Sequence, residues 1–355
     1  MNVVDFFAGC GGASRGFQAA GLKIVAAIES NLDAAATFAL NFPQAKIYPR
    51  DIRLLQPQDI KPSLAKLTGP LLFVAGAPCQ PFSKLNRLKR DDDARIGLLA
   101  EFTRFVEFYR PDYIFIENAP GLKKYQAENS PLNTFIETLI GLGYPSPKEA
   151  VVTALEYGVP QVRPRLIVIA SKHGELDFPG PTHGQRRPEV PYATVRDWIG
   201  DLPPLKAGEK DPLDPDHQAA GLSPLNLERL RYTPEGGDRC HWPTRLKLPG
   251  HKRLLKETGH EGYGDVYGRL AFNKPASSLT TRCVSYSNGR FGHPTQDRAI
   301  SLREAASIQT FPRDFRFMGS LNSRARQVGN AVPPLLAERF GRLFRAVEKG
   351  RLKGR

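Results

Sequence analysis

The sequence predicts an α/β protein: a doubly wound, mostly parallel sheet joined to a smaller, irregular second domain. Two observations carry this. Short apolar runs alternate with helix-compatible stretches through the first half of the 355 residues, a spacing that covers a parallel sheet on both faces. Near Lys172 the texture changes, and from about 179 to 283 Pro and Gly are frequent and clean periods are few. The expected division is therefore 1–178 plus 284–355 for the larger domain and 179–283 for the smaller.

Taken in order, the run over residues 2–7 ends in Gly9-Cys10-Gly11-Gly12, and Ile24–Ile28 ends at Glu29. A third strand precedes Asp51. Further runs lie at Leu71–Ala75, Tyr113–Ile116 and Leu166–Ala170, with a helical pattern over Leu98–Tyr109. Ligands of such sheets bind at the carboxyl ends of the strands. Gly9–Gly12, Glu29, Asp51, Pro78-Cys79 and Glu117-Asn118 each follow a run, so they should gather along one edge. Trp198, Trp242, Tyr263 and Tyr267 argue that the middle region folds. Leu302–Gln309 reads as helix. Leu336, Phe340, Leu343 and Val347 share one helical face, and Pro333-Pro334 suits that helix's start.

Composition narrows the partners. The net charge of +14 suggests a polyanion, and residues 283–355 carry 14 Lys and Arg against 5 Asp and Glu, so most of the excess is there. No apolar run approaches the ~18 residues of a membrane span, so no membrane is expected. The N-terminus lacks the basic region of a signal peptide. Four sparse cysteines without a CxxC pair point to a reducing, cytoplasmic setting. His241, His251 and His260 near Cys240 lack zinc spacing, so no metal is expected.

The glycine cluster permits a tight turn and close backbone approach to a ligand at a helix N-terminus. It is not the dinucleotide fingerprint, because counting from Gly9 puts Ser14 at the sixth place. Glu29 can accept both hydroxyls of a ribose. Asp51 can accept from an adenine amino group while Ile52 packs on the ring. Together they fit an adenosyl ligand without a pyrophosphate. Within Gly76-Ala77-Pro78-Cys79-Gln80-Pro81-Phe82-Ser83, a cysteine between prolines on a strand-end loop is held stiff and partly exposed, unlike a core thiol.

At this point the chain resembles the DNA (cytosine-5)-methyltransferase family, in the form of the bacterial modification methylases. Asp5-Phe6-Phe7-Ala8-Gly9-Cys10-Gly11-Gly12 is similar to its cofactor loop, and Pro78-Cys79-Gln80 to its nucleophile motif. Glu117-Asn118-Ala119 resembles its Glu-Asn-Val motif with Ala for Val. Gln161-Val162-Arg163-Pro164-Arg165 resembles its Gln-x-Arg-x-Arg motif. Arg303-Glu304-Ala305, Gln309 and Pro312 resemble the helix that supports the recognition domain. Residues 327–334 resemble the closing motif, which folds back onto the cofactor.

The resemblance implies a Rossmann-like fold binding S-adenosyl-L-methionine, and it extends the cofactor set to Phe7, Ala8, Ser30, Pro78, Leu98, Asn330 and Val332. It implies double-stranded DNA as partner, a monomer, and the modification role of a restriction-modification system, with no physical requirement for a cognate endonuclease. The middle region becomes the target-recognition domain.

The chemistry fits. Cytosine C5 is a poor nucleophile, so a thiolate must first add to C6. Cys79 is the candidate, although an ordinary thiol is only on the order of 3% ionised at pH 7. Glu117 can share a proton with N3 and hold the exocyclic amino group, while Arg165 and Arg163 offer fork-like donors to the base carbonyl. Asn118 is expected to order the Pro78-Cys79 loop. No residue stands out as the base that removes the C5 proton, which leaves water.

The cytosine must leave the stack, at a cost of roughly a few kcal/mol. Residues 83–97 would close over it, with Gln80, Ser83, Lys84, Arg87 and Arg95 as DNA contacts. Thr281 and Arg282 are further candidates. Four competing readings are weaker. A transfer-RNA methyltransferase on the same core would carry a Cys-Phe-Thr element, and an amino-methyltransferase a Pro-Pro-Tyr/Phe motif; neither is found. A non-catalytic DNA-binding relative predicts loss of Cys79 or Glu117. A nicotinamide oxidoreductase needs the glycine fingerprint.

Overall fold

The computed structural model describes residues 1–77, 97–123, 130–250 and 265–353. The chain divides into two compact units. One comprises Met1–Tyr157, Pro164–Thr182 and Ala331–Arg355, and the other Gly158–Arg163 and His183–Asn330.

The first unit is a seven-stranded sheet of order β3-β2-β1-β4-β5-β7-β6. The strands are β1 Asn2–Phe6, β2 Lys23–Ile28, β3 Lys46–Tyr48, β4 Leu71–Ala75, β5 Tyr113–Asn118, β6 Lys148–Thr153 and β7 Pro164–Ser171. β1 to β5 are parallel throughout, whereas β7 runs antiparallel to both of its neighbours. The sheet is thus mostly parallel, as expected. The central strands read as near-continuous apolar runs because both faces are covered. No apolar run marks β6, an edge strand whose residues are mostly half-exposed.

Side chains alternate across the pleat. On one face Phe6 packs against Phe73, Phe102 and Phe105 at ring-centroid distances of 4.9, 5.0 and 5.2 Å. Phe102 and Phe105 come from the helix Leu98–Tyr109, which the apolar spacing outlines. On the other face Phe115 meets Phe17 at 5.3 Å and Phe340 at 5.2 Å. Phe17 lies on α1, Gly12–Ala19, and Phe340 on the C-terminal helix Pro334–Lys353. These two helices touch so closely that a Cβ on Gly16 would stand 2.1 Å from the carbonyl oxygen of Pro334.

The second unit has little regular structure, and buried arginines do the work that sheet ladders do elsewhere. Irregular backbone leaves carbonyls that must be paired when buried. Arg269 donates to the carbonyls of Leu230, Thr233, His293 and Gln296 at 2.7–2.8 Å. Arg298, fully buried, makes a two-pronged pair with Glu304 at 2.6 and 2.7 Å. Arg303 joins Asp214, Asp216 and the carbonyl of Phe315. Trp242, Tyr267 and Tyr286 form a small aromatic core beside these groups.

This division differs from the sequence-based boundaries of 178/179 and 283/284. Residues 284–330 lie with the middle region, because Arg303 on the helix Leu302–Ile308 is anchored to Asp214 and Asp216 and every residue of that helix is buried. Much of the positive excess after residue 283 is also spent internally: Arg298, Arg303, Arg313, Arg316 and Arg324 all pair with carboxylates.

Gly16→Ala is expected to lower the unfolding midpoint through overpacking, at a cost of about 1–3 kcal/mol. Gly141→Ala, where a Cβ meets nothing, should leave the midpoint unchanged or raise it in the same thermal melt.

Candidate active site at the carboxyl edge of the sheet

The loop after β1 is shaped by its dihedrals. Phe7, Gly9 and Gly11 have φ of 57°, 55° and 95°. At Gly11 a side chain is excluded twice over, since a Cβ would also lie 2.4 Å from the Phe42 ring. At Gly9 a Cβ would meet nothing within 4 Å, so the space in front of the loop is open. The amide of Ala8 donates to the Ile28 carbonyl at 3.1 Å, tying the loop to the end of β2. Gly12 then opens α1.

Glu29 lies directly after β2. Its two oxygens accept from the amides of Gly9 at 2.8 Å and Asn31 at 2.7 Å. Burial raises its carboxyl above the ordinary value, and those amides offset part of the rise. Each oxygen retains a lone pair toward solvent-side groups. Ser30 is exposed beside it.

Asp51 caps the short turn Ile52–Leu54, and both of its oxygens accept from Arg53, at 3.0 and 2.6 Å. That pairing holds its carboxyl below the ordinary value. Ile52, the first residue of the turn, is buried, and Leu98 begins the helix Leu98–Tyr109. Arg104 of that helix donates to the carbonyls of Ile52 and Leu55, which pins the turn.

The structure adds one pair the sequence reading did not single out. Asp5, buried within β1, accepts from Ser14 Oγ at 2.6 Å. Burial pushes its carboxyl up to about 7, with the charge of Glu29 adding to the rise and the Ser14 hydrogen bond opposing it. A lone carboxylate inside the run Asn-Val-Val-Asp-Phe-Phe was the available signal.

Glu117 and Asn118 close β5, and Arg165 lies at the start of β7. Asn118 donates from Nδ2 to the Ala77 carbonyl at 3.2 Å and accepts from the Ala119 amide at 2.8 Å, fixing the residue that precedes Pro78. Pro78, Cys79, Gln80, Ser83, Lys84, Arg87 and Arg95 lie outside the described residues. Glu117 is 7% exposed, and its Oε1 stands 2.6 Å from Arg165 Nε. The contact is an ion pair by distance, and among the described residues Oε1 makes no hydrogen bond that meets the angular criteria of one.

Arg165 precedes the apolar run of its strand, so a parallel strand would carry it to the opposite edge. The antiparallel pairing of Asn118 with Leu166 instead brings it beside Glu117.

Arg163 is placed differently from the expected base contact. It is 1% exposed, belongs to the second unit, and donates to the carbonyls of Leu279 and Gly329, each at 2.9 Å. Thr281 is half-buried and Arg282 exposed on a turn of the same unit. Asn330 is exposed at the end of that unit, and Val332 is buried in the first. Among the described residues no His, Cys, Asp and Glu cluster suits a metal, and no helix is long and apolar enough to cross a membrane.

Comparison with known proteins gives a consistent outcome. The family described as C-5 cytosine-specific DNA methylase matches residues 1–344. The Type II methylase M.HgiDII of Herpetosiphon aurantiacus is 38% identical over 338 residues, covering 94% of this chain and 92% of that protein. The Type II methyltransferase M1.HphI of Haemophilus parahaemolyticus is 33% identical over 341 residues, covering 95% and 85%. Among solved structures, a DNA modification methyltransferase encoded within an E. coli prophage superposes with a TM-score of 0.74 at 24% identity, covering 98% and 99% of the two chains. At that identity the likeness concerns the fold.

The Asp5 environment has a consequence for stability. The folded chain keeps the Asp5 proton up to about 7, whereas an unfolded Asp releases it near ~4. The folded state therefore binds more protons between those values. This contribution to stability is fully present below about pH 4 and is lost as the pH rises through about 7. Asp5→Asn should shrink the fall in unfolding midpoint between about pH 5 and 7.5. An undiminished fall in the variant would contradict this assignment.

Proposed function

The chain belongs to the C-5 cytosine-specific DNA methylase family and is a DNA cytosine-5 methyltransferase, and we propose that it performs the reaction with Cys79 as nucleophile and the Glu117–Arg165 pair as the group that activates the base. The observation that carries this reading is the buried Glu117 carboxylate, with its Oε1 held 2.6 Å from Arg165 Nε where the end of β5 meets the start of β7.

The family and the fold are those of S-adenosylmethionine-dependent methyltransferases. The residues at the carboxyl edge fit that cofactor. The space before Gly9 is open, and Glu29 is fixed by two amides with acceptor capacity left for ribose hydroxyls. Phe7, Ala8, Gly11, Gly12, Ser30, Ile52 and Leu98 complete the proposed set, with Pro78, Asn330 and Val332 carried by motif resemblance. Asp51 would have to share its oxygens with Arg53 to meet an adenine amino group. When bound, the cofactor supplies an electrophilic methyl group.

This chain's own residues do the rest. A flipped cytosine presents N3 and its exocyclic amino group to Glu117, which shares a proton with the first and accepts from the second. Arg165 keeps the carboxylate in place and offers its remaining donors to the base carbonyl. The base is then electrophilic at C6, where the Cys79 thiolate adds. The electron pair released toward C5 makes that carbon the nucleophile. Loss of the C5 proton to water and expulsion of Cys79 complete the cycle. Asn118 orders the backbone that leads into Cys79. Double-stranded DNA is the proposed partner, and modification of a specific sequence beside a restriction endonuclease is the proposed setting.

Incubation with duplex DNA and methyl-labelled cofactor, followed by nucleoside analysis, should yield 5-methylcytosine; label on an amino nitrogen, or on transfer RNA alone, would overturn the reading. Glu117→Gln is expected to lower kcat by roughly 10²–10⁴-fold while leaving cofactor affinity near wild type.

A further inference from the structure

We propose that Arg163 is a positioning residue, and that it holds the Thr280–Arg282 turn as a rigid corner that contacts a phosphate of the DNA backbone. The proposal rests on the DNA methyltransferase reading and reassigns one residue within it.

Arg163 is committed to the backbone of its own unit. It is 1% exposed, and its two terminal nitrogens donate to the carbonyls of Leu279 and Gly329 at 2.9 Å. Gln161, also buried, works alongside it: Oε1 accepts from the Leu279 amide at 2.9 Å, and Nε2 donates to Gln309 Oε1 at 2.7 Å. Both backbone groups of Leu279 are therefore held by side chains of one motif. Gln309 in turn donates to the Val328 carbonyl at 3.0 Å.

The backbone around Gly329 is pressed onto this turn, since a Cβ there would lie 2.1 Å from the Thr280 carbonyl oxygen. The turn closes on itself through the Cys283 amide to the Thr280 carbonyl at 3.1 Å and the Arg282 amide to Thr280 Oγ1 at 3.3 Å. The Leu279 and Gly329 backbone groups that abut the corner are held by buried side chains, the arrangement that specifies one geometry rather than many.

The outward side has the chemistry of a phosphate contact. Arg282 is exposed, and its guanidinium makes no hydrogen bond or ion pair among the described residues. Thr281 adds a hydroxyl beside it. No Asp or Glu occurs between residues 266 and 296, so no neighbouring carboxylate in that stretch competes for the charge. Phosphate contacts set the register of a protein on a duplex, and a preset corner loses no ordering entropy when it binds.

The test is the salt dependence of duplex binding by the full chain. Arg282→Ala should weaken binding and lower the slope of log K against log salt by about 0.9, one phosphate's worth. Arg163→Lys should lower it by a similar amount although the residue is buried, and the double variant should lose no more than either single one. Cofactor affinity and the unfolding midpoint report whether each variant is folded.

An unchanged slope and DNA KM in Arg163→Lys, with kcat reduced at saturating DNA, would overturn the proposal and return Arg163 to the base. Additive losses in the double variant would also overturn it. Should Arg163→Lys fail to fold, the surface variant Arg282→Ala decides alone: an unaltered slope there refutes the phosphate corner. A wild-type chain that methylates no DNA would instead refute the underlying function, a distinct outcome.

Discussion

β7 enters the sheet antiparallel to β5, pairing Asn118 with Leu166, so that the beginning of one strand meets the end of the other. The proposed catalytic edge depends on this reversal. Parallel strands deliver their carboxyl ends to a common edge, and Gly9, Glu29, Asp51 and Glu117 arrive there by that rule. Arg165 is the second residue of β7 and reaches the same edge only because that strand runs the other way. The resulting pair stabilises a carboxylate that burial would otherwise penalise.

The sequence was legible where local pattern and chemistry coincide. Leu98–Tyr109 emerged as a helix because its apolar spacing matches the face that supplies Phe102 and Phe105. The loop from Phe7 to Gly12 was readable because its glycines answer backbone demands: Gly11 sits at positive φ against the Phe42 ring. β6 was not readable. As an edge strand it has one covered flank and no continuous apolar run to betray it. Nor could motif spacing separate Arg163 from Arg165. Two residues apart, they lie in different units, and only the geometry shows one donating to carbonyls and the other paired with Glu117.

The second unit shows a different economy of charge. Its loops have few ladders, and Arg269, Arg298 and Arg303 supply the donors that regular structure would have provided. The excess counted over residues 283–355 therefore overstates what that stretch presents to a polyanion, because Arg303, Arg313, Arg316 and Arg324 pair with acids from outside it. Position matters more than sum: Arg282 is exposed with its guanidinium unengaged among the described residues, while Arg298 and Arg303 are fully buried on acids. The domain boundaries read from composition shifted for the same reason, because the anchoring of Arg303 to Asp214 and Asp216 binds the helix Leu302–Ile308 to the middle region.

The central claim is that Cys79 adds to a cytosine activated by the Glu117–Arg165 pair, and covalent trapping tests it most directly. A duplex carrying 5-fluorocytosine blocks the final proton loss, so the adduct persists. The account predicts a cofactor-dependent adduct in the wild type that maps to Cys79, is absent in Cys79→Ser, and forms more slowly in Glu117→Gln. An adduct that survives Cys79→Ser, or a wild-type enzyme that methylates cytosine yet is never trapped, would contradict it.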